Sequence, residues 1–145
     1  MSSKIELAAK FINSTARHIF LTGKAGTGKT TFLNDLATAT HKNFLVVAPT
    51  GIAALNAGGT TIHSQFLLPL GSFLPQASTF KQAPQANFYS PRDLAAKHSL
   101  NADRKKVLHR IDLLVIDEVS MLRADVLDAI NHRLKAAKKN YQQAF

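Results

Sequence analysis

GKAGTGKT, residues 23–30, stands between an apolar run, His18–Thr22 (HIFLT), and a run beginning at Lys29 with helical character. It fits G-x-x-x-x-G-K-[ST] without a mismatch. Each residue type in that pattern has a chemical reason. Glycines let backbone N–H groups turn inward around an anion, and a helix starting near Lys29 directs its positive end at the same point. The Lys29 ammonium is placed to reach β and γ phosphates, and the Thr30 hydroxyl to ligate Mg²⁺. Gly23, Lys24, Ala25, Gly26, Thr27, Gly28, Lys29, Thr30 and Thr31 are therefore the expected nucleotide-binding residues, with Lys24 also suited to a solvated loop position. A strand, this loop and a helix together define the start of an α/β domain.

Composition bounds the rest. The chain has 145 residues, 46% of them hydrophobic, which is enough for one domain with a core. Lys and Arg number 18 against 9 Asp and Glu, a formal charge of +9 that favours an anionic partner. Cysteine is absent, which excludes disulfides and thiolate metal sites. The six histidines show no metal-ligand spacing such as H-E-x-x-H. No apolar run approaches the ~18 residues that span a bilayer, and MSSKIELAAKF has no signal-like block. A cytoplasmic protein with no membrane partner is the expectation. The charge is uneven: residues 51–80 carry no Asp, Glu, Lys or Arg, whereas residues 101–145 hold nine of the basic residues.

Patterning predicts alternating elements. Ser3-x-x-Glu6 is a capping box opening a helix to about Asn13. His18–Thr22, Phe44–Ala48 (FLVVA) and Leu113–Asp117 (LLVID) read as buried strands, and helices are expected over Lys29–Thr38, Gly51–Asn56 and Ala102–Ile111. Val126, Leu127, Ile130 and Leu134 mark one face of a final helix. Continuously apolar strands separated by helices indicate an α/β fold with a parallel sheet and flanking helices. The segment 67–100 breaks this rhythm. Pro69, Gly71, Pro75 and Pro84 are too close for a long helix, while Phe73, Phe80, Phe88 and Tyr89 argue for an insertion lying on a folded core.

LLVIDE, residues 113–118, is an apolar strand ending in two carboxylates. In a parallel sheet, ligands gather beyond the carboxyl ends of the strands, the rim expected to carry the Gly23–Thr30 loop. Asp117 suits Mg²⁺ coordination through water or in the outer shell, and Glu118 suits activation of an attacking water. An acidic pair alone often only begins a polar loop. With GKAGTGKT it defines a Walker A and Walker B nucleoside triphosphatase, in which Lys29 and Glu118 are the catalytic candidates and Thr30 and Asp117 the metal candidates. Asp112 reads as a loop carboxylate, and Asp125 and Asp128 as favourable charges in the first turns of the last helix.

VVAPTGIAALNAGGTTIHSQF, residues 46–66, then becomes a second loop system on the same rim. Thr50-Gly51 and Thr60-Thr61-Ile62-His63-Ser64 offer hydroxyls and free N–H groups at expected helix starts. Such donors match phosphodiester oxygens and bind backbone without reading sequence, with His63 as a stacking face. Thr50, Gly51, Thr61 and His63 are the candidate contacts to single-stranded DNA, and Ala53, Ala54 and Ala57 are read as close-packing residues.

APTGIAALNAGGTTIHS, GKAGTGKTT and LLVIDEVSMLRADVLDAI together resemble the Pif-type DNA helicases, relatives of RecD in superfamily 1. The resemblance runs from about Ala16 to Ala137, interrupted by 67–100. It implies a RecA-like first motor domain and ATP-driven 5′-to-3′ translocation on single-stranded DNA, with DNA junctions as substrates. It also implies a strand after the Asp-Glu pair that inserts between the phosphate-loop strand and the Asp-Glu strand. A remaining motor domain carrying an arginine finger would come from chain beyond Phe145. On that expectation the 145 residues alone neither unwind DNA nor turn over ATP at a helicase rate. The family's adenine-reading Gln before the phosphate loop has no counterpart in residues 1–22, where Glu6 and Asn13 are the available substitutes. Two other readings fit the phosphate loop: a clamp-loader or chaperone-like ATPase module, and a binding-only fragment.

Overall fold

In the computed structural model, which describes residues 3–75 and 87–142, three parallel strands form the centre. They are β1 (Phe44–Ala48), β2 (Thr60–Thr61) and β5 (Leu113–Ile116), in the order β2-β1-β5. Phe44 to Val47 pair with Leu113 to Ile116, and Val47 and Ala48 pair with Thr60 and Thr61. A strand's side chains alternate between faces, and both β1 and β5 are apolar on both. Phe44, Leu113 and Val115 point into one layer with Ala8, Ile12, Phe32 and Leu36. Leu45, Val47, Leu114 and Ile116 point into the other, with Ile62, Phe66, Leu108, Ile130 and Leu134. Helices α1 (Ser3–Ser14), α2 (Lys29–Asn34) and α3 (Leu36–Ala39) supply the first layer. Helices α5 (Ile62–Phe66), α7 (Ala102–Arg110) and α8 (Ala124–Lys138) supply the second, and α4 (Gly51–Asn56) connects β1 to β2. This is the α/β parallel sheet with flanking helices that the pattern predicts.

The expected strand at His18–Thr22 is not formed. Residues 15–24 take no regular structure, and Ile19, Phe20 and Leu21 are exposed, Phe20 to 76%. A strand exists only with a hydrogen-bonding neighbour, and among the described strands none lies beside this run. Apolar patterning registered the burial preference of HIFLT, but pairing is a tertiary property. The helix expected over Lys29–Thr38 is divided at Asp35, which ends α2 and begins α3. Leu127 is 47% exposed, because the buried stripe of α8 runs through Val126, Ala129, Ile130, Arg133 and Leu134 instead.

Segment 67–100 contributes to the core. Short strands β3 (Ser72–Phe73) and β4 (Phe88–Tyr89) pair in parallel, and Phe73, Tyr89, Leu94 and Leu100 are buried in the same cluster as α8. Phe80 and Pro84 lie outside the described residues, as does the side chain of Ser3. Helix α6 (Pro91–Ala96) has a signal that is legible in SPRD. Ser90 Oγ accepts from Asp93 N at 3.3 Å, Asp93 Oδ2 accepts from Ser90 N at 2.9 Å, and Pro91 fills the first turn. The Ser90 hydrogen bonds hold the Asp93 carboxyl below its usual range.

Arg133 organises this side of the molecule. It is 5% exposed, and its guanidinium donates to Phe66 O at 2.9 Å, Leu67 O at 3.0 Å, His98 O at 2.5 Å and Leu94 O at 3.4 Å. These carbonyls close the C-terminal ends of α5 and α6, where helices leave acceptors unpaired. Burial lowers the Arg133 pKa, yet a guanidinium stays charged in proteins. Arg133 falls at the seventh position after Val126, on the apolar stripe, which is the sequence signal for it. Asp125 is a second tie. Its carboxylate accepts from Phe73 N at 2.9 Å and pairs with Arg123 at 2.7 Å, and Arg123 also donates to Ser72 Oγ at 2.7 Å. Burial alone would raise Asp125, but the Phe73 hydrogen bond and Arg123 outweigh it and hold the carboxyl below its ordinary value. Asp112, expected as a loop carboxylate, binds Asn43 through the backbone N and side-chain Nδ2, both at 3.1 Å, and so joins the starts of β1 and β5.

Candidate nucleotide and nucleic-acid site

Strand order and register bring Thr50, Thr61 and Asp117 to one rim. Ala48 pairs with Thr61, Val47 pairs with Ile116, and Asp117 N donates to Val47 O at 2.9 Å. Thr61 therefore ends β2, while Thr50 and Asp117 follow the carboxyl ends of β1 and β5, the three strands being adjacent and parallel. Helices α2 and α3 link the Gly23–Thr30 loop to the start of β1 at Phe44, and Lys29 is the first residue of α2. Among the described residues no hydrogen bond joins the Gly23–Thr30 loop to Asp117 or Glu118.

The loop itself is ordered by its own side chains. Lys29 Nζ donates to Gly23 O at 2.6 Å and Lys24 O at 2.9 Å, and Thr27 Oγ1 donates to Lys24 O at 2.8 Å. The ammonium is thus folded back over the loop. Gly28 caps α2 at φ +88°, a left-handed conformation that favours glycine. Ala25, Gly26, Thr27, Thr30 and Thr31 are exposed. Phe32, the first buried side chain of α2, anchors the helix against α1 and the sheet.

Asp117 is half-buried and Glu118 exposed. Glu118 N donates to Asp117 Oδ1 at 3.0 Å, and Glu118 has φ +52°, uncommon for a residue with a side chain. That turn starts a 3₁₀ segment, Val119–Met121, and leaves the Glu118 carboxylate in solvent. The donor set fits Mg²⁺: a threonine hydroxyl and one carboxylate suit an ion that keeps waters and binds nucleotide phosphates rather than a full protein cage. Among the described residues no group of three or more His, Cys, Asp or Glu could hold a metal by itself.

Both rim threonines are helix caps. Thr50 Oγ1 accepts from Ala53 N and Thr61 Oγ1 from Ser64 N, each at 3.2 Å. Capping uses the lone pairs and leaves the O–H of each free to donate outward. Gly51 has open space around it, and His63 is half-buried. Gly59, by contrast, is required by packing, since a Cβ there would lie 2.3 Å from Val46 O. Asn13, a possible base reader, is committed elsewhere: its Nδ2 donates to Ala39 O and its Oδ1 accepts from Thr40, both at 2.7 Å.

A parallel α/β sheet with a G-x-x-x-x-G-K-T loop before α2 and an acidic pair after β5 defines the class of RecA-like domains. A family model described as PIF1-like helicase matches residues 4–145, and the chain belongs to that family. It is 33% identical over 130 residues to the ATP-dependent DNA helicase PIF1 of Saccharomyces cerevisiae, covering 86% of this chain and 13% of that protein. It is 35% identical over 136 residues to Pif1 of Psychrobacter sp., covering 89% and 18%. The chain thus spans less than a fifth of these relatives. Among solved structures, Bacteroides Pif1 bound to single-stranded DNA superposes with a TM-score of 0.77 at 35% identity, over 97% of this chain and 29% of that one. The Bacteroides complex with ADP-AlF4 gives 0.76 at 35%, over the same shares. Among the described residues no helix is long and apolar enough to cross a membrane.

Proposed function

We propose that this chain is the nucleotide-binding part of an ATP-dependent 5′-to-3′ DNA helicase, a cytoplasmic enzyme acting on single-stranded DNA and DNA junctions. Its activity would be completed by further motor elements beyond these residues. The observation that carries the reading is the gathering of Thr50, Thr61 and Asp117 at the carboxyl ends of three adjacent parallel strands, with the G-x-x-x-x-G-K-T loop leading into α2 beside the same sheet. Family membership and the relatives' names support it.

In this reading Gly23 to Thr31 wrap the phosphates, and Lys29 exchanges its loop carbonyls for β and γ oxygens. Thr30 and Asp117 would hold Mg²⁺, which would supply neutralisation of phosphate charge. Glu118 takes the proton of the attacking water, a role helped by its exposure. Thr50, Gly51, Thr61 and His63 contact the DNA backbone and one base face. With Asn13 engaged in holding α1 to α3, the adenine is read loosely, and GTP should compete with ATP.

Calorimetry with Mg²⁺–ADP and Mg²⁺–ATP tests the phosphate site. Lys29→Ala should weaken binding by roughly 10- to 100-fold, the worth of one charge-assisted contact; equal binding by wild type and variant would refute it. His63→Ala should reduce single-strand affinity about tenfold, as loss of a stacking face does, with nucleotide binding intact. Thr61→Ala removes the donating hydroxyl together with a cap worth about 1 kcal/mol, so Thr61→Ser, which keeps both, is its control and should bind DNA as wild type does.

A further inference from the structure

Helices α7 and α8 pack side by side and both run toward the amino ends of the strands, away from the rim: α7 delivers the chain to β5, and α8 leads it away. Their last turns are fastened there, with Lys138 Nζ donating to Ile111 O at 2.6 Å and to His109 O at 3.1 Å. Between these helices and residues 95–100 lies a groove of about 680 Å³. Lys105, Lys106, Lys139, His109 and His132 line it, Arg133 closes its floor, and no Asp or Glu is among its lining residues.

Cations near a helix C-terminus are ordinarily explained by the helix dipole. That explanation does not cover Lys105 and Lys106, which sit in the middle of α7. Nor are these side chains neutralised. Among the described residues the ion pairs are Lys97–Asp93 and Arg123–Asp125, and neither involves the groove. Three exposed ammonium groups thus face one concavity without a countercharge. The lining has no Phe, Tyr or Trp, so it lacks the platforms on which splayed bases stack. The chemistry is that of phosphate-backbone contact by point charges, independent of sequence.

We infer that the α7–α8 groove is a second polyanion site, for the phosphodiester backbone of a DNA duplex, separate from the rim and at the opposite end of the sheet. Its occupancy does not require the nucleotide site.

The test measures binding of a mixed-sequence 20-base-pair DNA duplex across a salt series, by fluorescence anisotropy on the full 145-residue chain. The groove variant is Lys105→Gln/Lys106→Gln/Lys139→Gln, all exposed positions. The control, Lys4→Gln/Lys10→Gln/Arg17→Gln, removes the same charge from exposed positions elsewhere. Three lost phosphate contacts should make the groove variant's affinity fall ~40-fold less than wild type between 50 and 200 mM salt, and the control should keep the wild-type slope. Equal slopes for wild type and groove variant would overturn the proposal. So would equal losses in both variants, which would mean diffuse attraction, or displacement of the duplex by poly-glutamate at equal charge concentration, which would mean a site for acidic protein. Near-UV circular dichroism of each variant verifies the fold.

Discussion

On one side of the sheet, Val47, Leu114 and Ile116 meet a continuous core from Ile62 to Leu134, tied by Arg133 and by the Arg123–Asp125 pair. On the other, among the described residues, Phe44, Leu113 and Val115 meet the four buried residues Ala8, Ile12, Phe32 and Leu36. The phosphate loop leads into this thinner side and is preceded by eight residues, 15–22, without regular structure. Burial and polar ties fix the first region from several directions. In the second, geometry depends on backbone torsions at Gly26 and Gly28 and on a lysine bonded to its own loop. A motif can thus be fully specified in sequence while the structure around it is lightly held.

The contrast makes its largest prediction for catalysis. With His18–Thr22 unpaired, the loop and Glu118 have no common strand ladder between them, and a misplacement near 1 Å can cost ~10²-fold in rate. Steady-state ATP turnover by this chain alone should therefore stay at least ~10²-fold below a typical motor rate, with or without single-stranded DNA. Robust DNA-stimulated hydrolysis by the purified 145 residues would erase the difference between the two regions.

A smaller effect is expected in stability, with the opposite polarity. Arg133→Ala would leave the carbonyls of Phe66, Leu67, Leu94 and His98 without their donor, at a cost of about 3 kcal/mol or more. Lys29→Ala removes only solvent-accessible loop contacts and should cost less than about 0.5 kcal/mol. Urea denaturation followed by circular dichroism separates the two; similar midpoints for both variants would mean that Arg133 is not a structural tie. Arg133→Lys should restore only part, because an ammonium cannot fork across separate carbonyls.

The smallest effect concerns pH. Burial, then the charges of Arg133 and Lys135, lowers the His132 pKa from its ordinary value. The unfolded chain therefore takes up this proton more readily than the folded one. The His132 contribution is complete above about pH 6.5 and is lost as pH falls through the folded value. Asp125 acts in a separate, more acidic window, since its depressed carboxyl contributes above its unfolded value near 4 and loses that contribution below it. Thermal melts from pH 7.5 to 5 should show a gentle decline that His132→Phe reduces, its ring still able to meet Phe73. An unchanged slope in the variant would assign the decline to other groups.

The sequence by itself determined the elements whose cause is local. FLVVA and LLVI form strands at the expected positions because both faces of each are apolar, and Gly51–Asn56 and Ala102–Arg110 form helices with Thr50 and Asn101 as caps. GKAGTGKT and the Asp117-Glu118 pair stand out in the sequence because the chemistry proposed for them depends on residue type at fixed spacing. SPRD was equally local and was available as a helix start, though the surrounding prolines masked it. Tertiary structure alone decided the rest. HIFLT is apolar enough for a strand, but pairing needs a neighbour that no local pattern supplies. Phe73 and Tyr89 enter the main core because β3 and β4 meet across a chain separation that periodicity does not register. Arg133 falls on the apolar stripe of α8, but its role rests on carbonyls 35 to 67 residues away in the chain, which no local pattern brings to it. The α7–α8 groove has the same origin: basic residues from the middle of α7 and the end of α8, unremarkable apart, become one electropositive surface only when packing sets the two helices side by side.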